Sequence, residues 1–159
     1  ARIKAHAAAG AAGMLALADD SGLCVDALGG EPGVYTADWA QTPTGRNYQM
    51  AMQRVEDRLQ AIGAIEPGLR RGAFVATLCL AHPDGRDDLY EGRAAGTMVW
   101  PPRGPSGFGF DPIFMPDGFD ITFGEMPSAM KHSWAPGKVG LSHRARAFAK
   151  FVEGAVEQS

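Results

Sequence analysis

Two carboxylates stand side by side at Asp19-Asp20, followed by Ser21-Gly22. On an extended backbone, adjacent side chains point to opposite sides, so one of the two faces any given cleft. A carboxylate placed there can bind Mg²⁺ or take a proton from a water molecule. Ser21 and the amide groups of a turn at Gly22 can donate to a phosphate. The same residue types also form plain turns. A second group is Ser106-Gly107-Phe108-Gly109-Phe110-Asp111-Pro112. Phe108 and Phe110, in a glycine-rich loop, can offer a ring face to a planar base, a stacking worth about 1–3 kcal/mol. Asp111 can accept from a ring N–H, and Gly109 lets the backbone come close. Two such Phe can equally anchor a loop on the core. A third group, Ser142-His143-Arg144, stands at a helix start, where the Ser caps and the amide groups and Arg favour an anion or a keto oxygen.

These groups need elements to position them. Ile3, Ala7, Ala11 and Met14 recur at helical spacing, with no capping residue ahead of Ala1, so the chain reads as beginning inside a helix of a longer protein. Leu15–Ala18 reads as a short buried strand, Asp19–Gly22 as a turn, and Leu23–Asp26 as the start of a second strand. A Gly/Pro-rich loop then runs to Gly45. Tyr48, Met52, Val55, Leu59 and Ile62 mark an amphipathic helix closed by Gly63. Arg71–Ala81 is apolar on both faces and reads as a central strand. Pro83-Asp84-Gly85 turns it into an antiparallel partner over Leu89–Ala95, and a further strand covers Thr97–Trp100. Pro116–Lys138 is punctuated by Pro and Gly and reads as irregular. Strands mixed with flanking helices place the chain in the α/β class.

Length and composition agree. At 159 residues, 45% hydrophobic and 21% charged, the chain is one ordinary globular domain, covering 1–159, and not a disordered or fibrous one. Its apolar runs are too short for a membrane helix. A formal charge of -3 argues against general nucleic-acid affinity. The charge is uneven, however. Asp19, Asp20, Asp26, Glu31 and Asp38 crowd the first quarter, while Lys131, Lys138, Arg144, Arg146 and Lys150 share a stretch with no carboxylate. A metal–polyphosphate ligand needs both signs. Cys24 and Cys79 sit apart and read as core thiols of a reducing compartment, and His6, His82 and His132 read as surface residues.

In order along the chain, ALADDSGLCVDALGGEPGVYTADWA, PRGPSGFGFDPIF, TFGEMPSAMK and LSHRARAF resemble the inosine/xanthosine triphosphate pyrophosphatase family. The resemblance implies an elongated mixed sheet flanked by helices, with an active cleft between two lobes. The implied reaction is Mg²⁺-dependent attack of water on the α-phosphorus of a non-canonical purine nucleoside triphosphate. Its products are the monophosphate and pyrophosphate. Asp20 matches the family's general base and metal-associated carboxylate, with Asp19 supporting the metal. Ser21 matches a phosphate or sugar contact, and Lys4 a lysine that faces the phosphates. Phe108, Gly109, Phe110 and Asp111 match the base-holding loop, and His143 and Arg144 the pair that reads the base edge. Lys131 is preferred to Lys138 as the pocket lysine. A homodimer in the cytoplasm is implied as well. The family's Ser/Thr-x-Asn-x-x-Lys phosphate loop and a Glu ahead of the first helix have no counterpart here, so the resemblance implies an N-terminally incomplete domain that hydrolyses poorly or not at all. The alternatives are a Maf-like nucleotide pyrophosphatase, or a nucleotide-binding module without turnover.

Overall fold

The apolar run Arg71–Ala81 forms a strand with a partner on each edge, as its two-sided hydrophobicity requires. The computed structural model describes residues 1–135 and 138–157. In chain order its elements are α1 (Arg2–Ala12), β1 (Ala16–Val25), β2 (Gln41–Thr42), β3 (Gly45–Arg46), α2 (Tyr48–Ala61), β4 (Arg71–Ala81), β5 (Asp87–Met98), β6 (Phe114–Pro116), α3 (Ser128–His132), β7 (Trp134–Ala135), β8 (Lys138–Val139) and α4 (His143–Glu157). The main sheet has the order β1-β4-β5-β6, and each of its three pairings is antiparallel. With helices packed on it, the expected α/β class holds. The segment expected to be loop around 136–137 lies outside the described residues.

β1 corrects the sequence expectation of two strands and a turn. It runs unbroken through Asp19-Asp20-Ser21-Gly22, pairing residue by residue with β4 from Ala16↔Ala81 to Val25↔Gly72. The ladder satisfies every second backbone group in turn, and that outweighs a local turn preference. Gly22 serves packing instead: a Cβ there would run into the carbonyl of Gly33. That carbonyl belongs to the 26–40 segment, which folds over the strand's end. Leu23 N–H donates to Thr36 Oγ at 2.9 Å, and Val25 N–H to the Glu31 carbonyl at 3.1 Å. Trp39 holds the same segment to α2, with the guanidinium groups of Arg54 and Arg58 4.3 and 5.3 Å from its ring centre. β5 is likewise one strand where two short ones were expected. Its register against β4 continues from Ala81↔Asp87 to Arg71↔Thr97.

Helices cover both faces. On one, α1 rests its Ala5 and Ala9 near Cys79 and Ala81. The buried face is therefore not Ile3, Ala7, Ala11 and Met14; Ile3 is 88% and Met14 67% exposed. Alanines four apart win because a helix lying close on a sheet leaves room only for small side chains. On the opposite face α4 packs across β4 and β5, beginning at the Ser142 cap, whose Oγ accepts from Ala145 N–H at 3.1 Å. Gly92 makes that approach possible, since a Cβ there would collide with the backbone of His143 and Ala147. α2 starts at Asn47, which caps Met50 N–H at 3.0 Å, and buries Ala51, Met52, Val55 and Leu59.

One charged pair is sealed inside this packing. Arg70 and Glu56 are 6% and 5% exposed and joined by an ion pair. Arg70 also donates to the carbonyls of Met98 at 2.9 Å and Ala64 at 3.2 Å, and Gln60 donates to Glu56 at 2.7 Å. The pair thus ties α2 to the end of β5. Glu56→Ala should leave the guanidinium buried and uncompensated, lowering unfolding free energy by about 3–5 kcal/mol in urea titration. A loss under about 1 kcal/mol would mean the guanidinium finds another partner.

Candidate active site

Among the described residues β1 is the last strand of the main sheet, and its pleat sends Asp19 and Asp20 toward different helices. Asp19 Oδ2 lies 3.3 Å from Arg144 Nε on α4, and Asp20 Oδ1 lies 3.9 Å from Lys4 Nζ on α1. Lys4 also donates to the Asp19 carbonyl at 2.6 Å. Both carboxylates stay about half exposed, at 51% and 49%. Between these partners the Ser21 Oγ is buried with no hydrogen-bond partner among the described residues. A cavity of about 650 Å³ wraps this edge and reaches from Lys4 past Asp19–Gly22 to His143 and Arg144. A ligand in it would touch both faces of the sheet.

The far wall is the glycine-rich loop. Asp111 Oδ2 accepts from Phe108 N–H and from Lys131 Nζ, each at 3.0 Å. Lys131 donates again to the Phe123 carbonyl at 3.0 Å and is only 3% exposed. Gly107 has φ 101°, and a Cβ there would strike the Asp111 side chain, so glycine is what lets the loop close on its own carboxylate. The two Phe separate cleanly. Phe110 is 1% exposed and anchors the loop in the core; Phe108 is 67% exposed and meets Tyr48 edge-on, ring centres 5.1 Å apart. Lys138 is exposed on β8 and does not line the cavity, whereas Lys131 does.

His143 is no surface residue. Its ring stacks on Phe74 at 5.0 Å and 16°, and its Nδ1 is buried without a hydrogen-bond partner among the described residues. Burial, helped by the charge of Arg144 and then by His132, pushes its pKa down to about 4. The imidazole is therefore neutral near pH 7, with one nitrogen donating and one accepting. His132 is also shifted down, by burial and then by the charge of Lys131.

All of Lys4, Asp19, Asp20, Ser21, Phe108, Gly109, Phe110, Asp111, Lys131, His143 and Arg144 line this one cavity. Sequence reasoning missed Thr36, Arg46, Tyr48, Phe74 and Ser128, which line it too. Tyr48 and Phe74 read as ordinary apolar positions of a helix and a strand, and only the fold turns them toward a ligand.

Comparison with known proteins places the chain among these. It is 60% identical over 157 residues to a dITP/XTP pyrophosphatase of Mesorhizobium japonicum, covering 98% of this chain and 71% of that protein. It is 59% identical over 155 residues to the dITP/XTP pyrophosphatase of Rhizobium meliloti, covering 96% and 72%. Among solved structures, a HAM1 protein from Coxiella burnetii superposes with a TM-score of 0.86 at 30% identity, covering 99% of this chain and 75% of that one. The model of the Ham1 family matches residues 1–154, and the chain belongs to that family.

Proposed function

We infer that this chain hydrolyses non-canonical purine nucleoside triphosphates, of the dITP and XTP kind, to the nucleoside monophosphate and pyrophosphate. Relatives at about 60% identity carry the name dITP/XTP pyrophosphatase, which favours this activity over a Maf-like one or a binding module. The observation that carries it is one cavity with two chemically different ends, joined around the edge of β1. At one end Lys4, Asp20 and Ser21 suit phosphates. At the other, Phe108, Asp111, Lys131, His143 and Arg144 suit a planar base with keto groups.

In this proposal Phe108 stacks on the base while Arg144 and His143 face its position 6. Arg144 donates only, so it pairs with a keto oxygen, which accepts, and repels an exocyclic amine. Once the base covers it, a site built for the keto group leaves polar atoms unpaired when adenine enters, which is how it discriminates. Lys131 braces Asp111 and through it the loop under the base. Lys4 holds the phosphates. Asp20 holds and then takes a proton of the attacking water, beside a phosphorus placed by its neighbours.

Mg²⁺ fits the phosphate end, because such a cation needs one or two carboxylates beside the substrate's own oxygens, and the half-exposed Asp20 supplies one. Asp19, turned to the other face of the sheet and paired with Arg144, would support the ion only from behind Asp20. Among the described residues no three His, Cys, Asp or Glu side chains converge as a full protein-built metal cage would need. When bound, the ion supplies neutralisation of phosphate charge. No described helix is long and apolar enough to cross a membrane. A homodimer working on the cytoplasmic nucleotide pool completes the proposal.

Incubation with ITP and Mg²⁺, resolved by chromatography, should give IMP and pyrophosphate, with ATP cleaved at least about 10²-fold more slowly. Release of IDP and phosphate, or equal rates on ATP, would overturn the assignment. Asp20→Asn should reduce kcat by about 10²–10⁴-fold with little change in melting temperature; activity within a few-fold of wild type removes Asp20 as the base. The neutral His143 makes a third prediction. Unfolded, its imidazole takes a proton near 6.5; folded, only near 4. Acid therefore favours the unfolded chain between those values, costing about 3 kcal/mol of stability. Urea titrations at pH 7 and 4.5 should show that loss shrinking in His143→Phe, and an unchanged loss would refute it.

A further inference from the structure

α1 brings Lys4 to the site, yet its own hold on the sheet is slight. Its buried residues are Ala5 and Ala9. The strong contact is lateral. Arg2 donates to Asp87 Oδ1 from Nε at 3.1 Å and from Nη2 at 2.9 Å, while His6 Nε2 sits 2.7 Å from Asp87 Oδ2. Asp87, the first residue of β5, is 12% exposed in its side chain, and the bonds from His6 and then Arg2 hold its carboxyl below the ordinary range. The next carboxylate, Asp88, is occupied by His82 at 3.1 Å. His6, read from sequence as a surface residue, is thus half of a two-residue clasp.

Helical geometry says what the clasp does. At 3.6 residues per turn, Arg2 and His6 share one flank, while Lys4, midway between them, points from the opposite flank. The alanines lie between, against the sheet. A helix resting on two methyl groups can roll; one pinned along a flank cannot. We propose that Asp87 is a positioning residue for the phosphate-facing Lys4: by gripping Arg2 and His6 it fixes the roll of α1, and so the reach of Lys4 Nζ over β1. The proposal rests on the role given to Lys4 above.

A double-mutant cycle tests it, read as kcat, KM and the affinity for ITP by calorimetry on the full chain. Asp87→Asn should lower kcat/KM by about tenfold, the scale of a small displacement of a binding group. Asp87→Glu, which keeps the charge, should recover most of that. In a Lys4→Ala background, Asp87→Asn should cost nothing further. Additive losses, or an Asp87→Asn enzyme within twofold of wild type, overturn the proposal. If Lys4→Ala itself runs at the wild-type rate, the proposal also falls, and the fault then lies in the assignment of Lys4. Should Asp87→Asn fail to fold, the pair Arg2→Ala and His6→Ala cuts the same clasp from the helix side and must give the same pattern.

Discussion

The candidate site depends on the two-residue period of β1. Among the described residues the main sheet ends at β1, met on its outer edge by the Cys24↔Pro32 bridge, and there the cavity bends from one face of the sheet to the other. Two successive residues then serve two different helices: Asp19 meets Arg144 from α4, and Asp20 meets Lys4 from α1. A register slip of one residue would exchange the two carboxylates between helices and between chemical roles. The ten-residue ladder to β4 is what forbids the slip.

Close approach is the second theme, and it is written in small residues. Gly22 admits the Gly33 carbonyl, Gly92 admits the start of α4, and Ala5 and Ala9 let α1 lie near Cys79. Of these positions only Gly22 lines the cavity. They set the distances between the elements that do, so a methyl group added at Gly92 would displace His143 and Arg144 together.

Much of this was legible beforehand, for identifiable reasons. The central strand Arg71–Ala81 and helix α2 showed themselves because periodicity and burial coincide there. The Ser142 cap was readable because capping is local. The Asp19–Gly22 turn was misjudged because turn preference is local while the ladder that overrides it comes from residues about sixty positions away. The face of α1 was misjudged because large apolar residues draw attention, whereas the packing there needs alanine. Phe108 and Phe110 look alike in sequence; only the fold buries one and bares the other. The Glu56–Arg70 and Arg2–Asp87–His6 contacts carry no motif at all, since any charged residues on exposed-looking positions could have met there.

Within the cavity, Asp19 faces Arg144, Asp20 faces Lys4, and Asp111 faces Lys131. At these three cations a polyanion entering the site trades places with carboxylates already in possession, while Arg46 lines the cavity with no carboxylate partner among the described residues. Exchange of partners gains far less than first contact between free ions, so at these three pairs the electrostatic part of recognition is close to a swap. The remaining preference is left to the base end, where Arg144 meets the keto group beside an uncharged imidazole stacked on Phe74 and one exposed ring at Phe108. On the proposed function, that division lets the enzyme tolerate any triphosphate tail in the cell while its choice is made at the base alone.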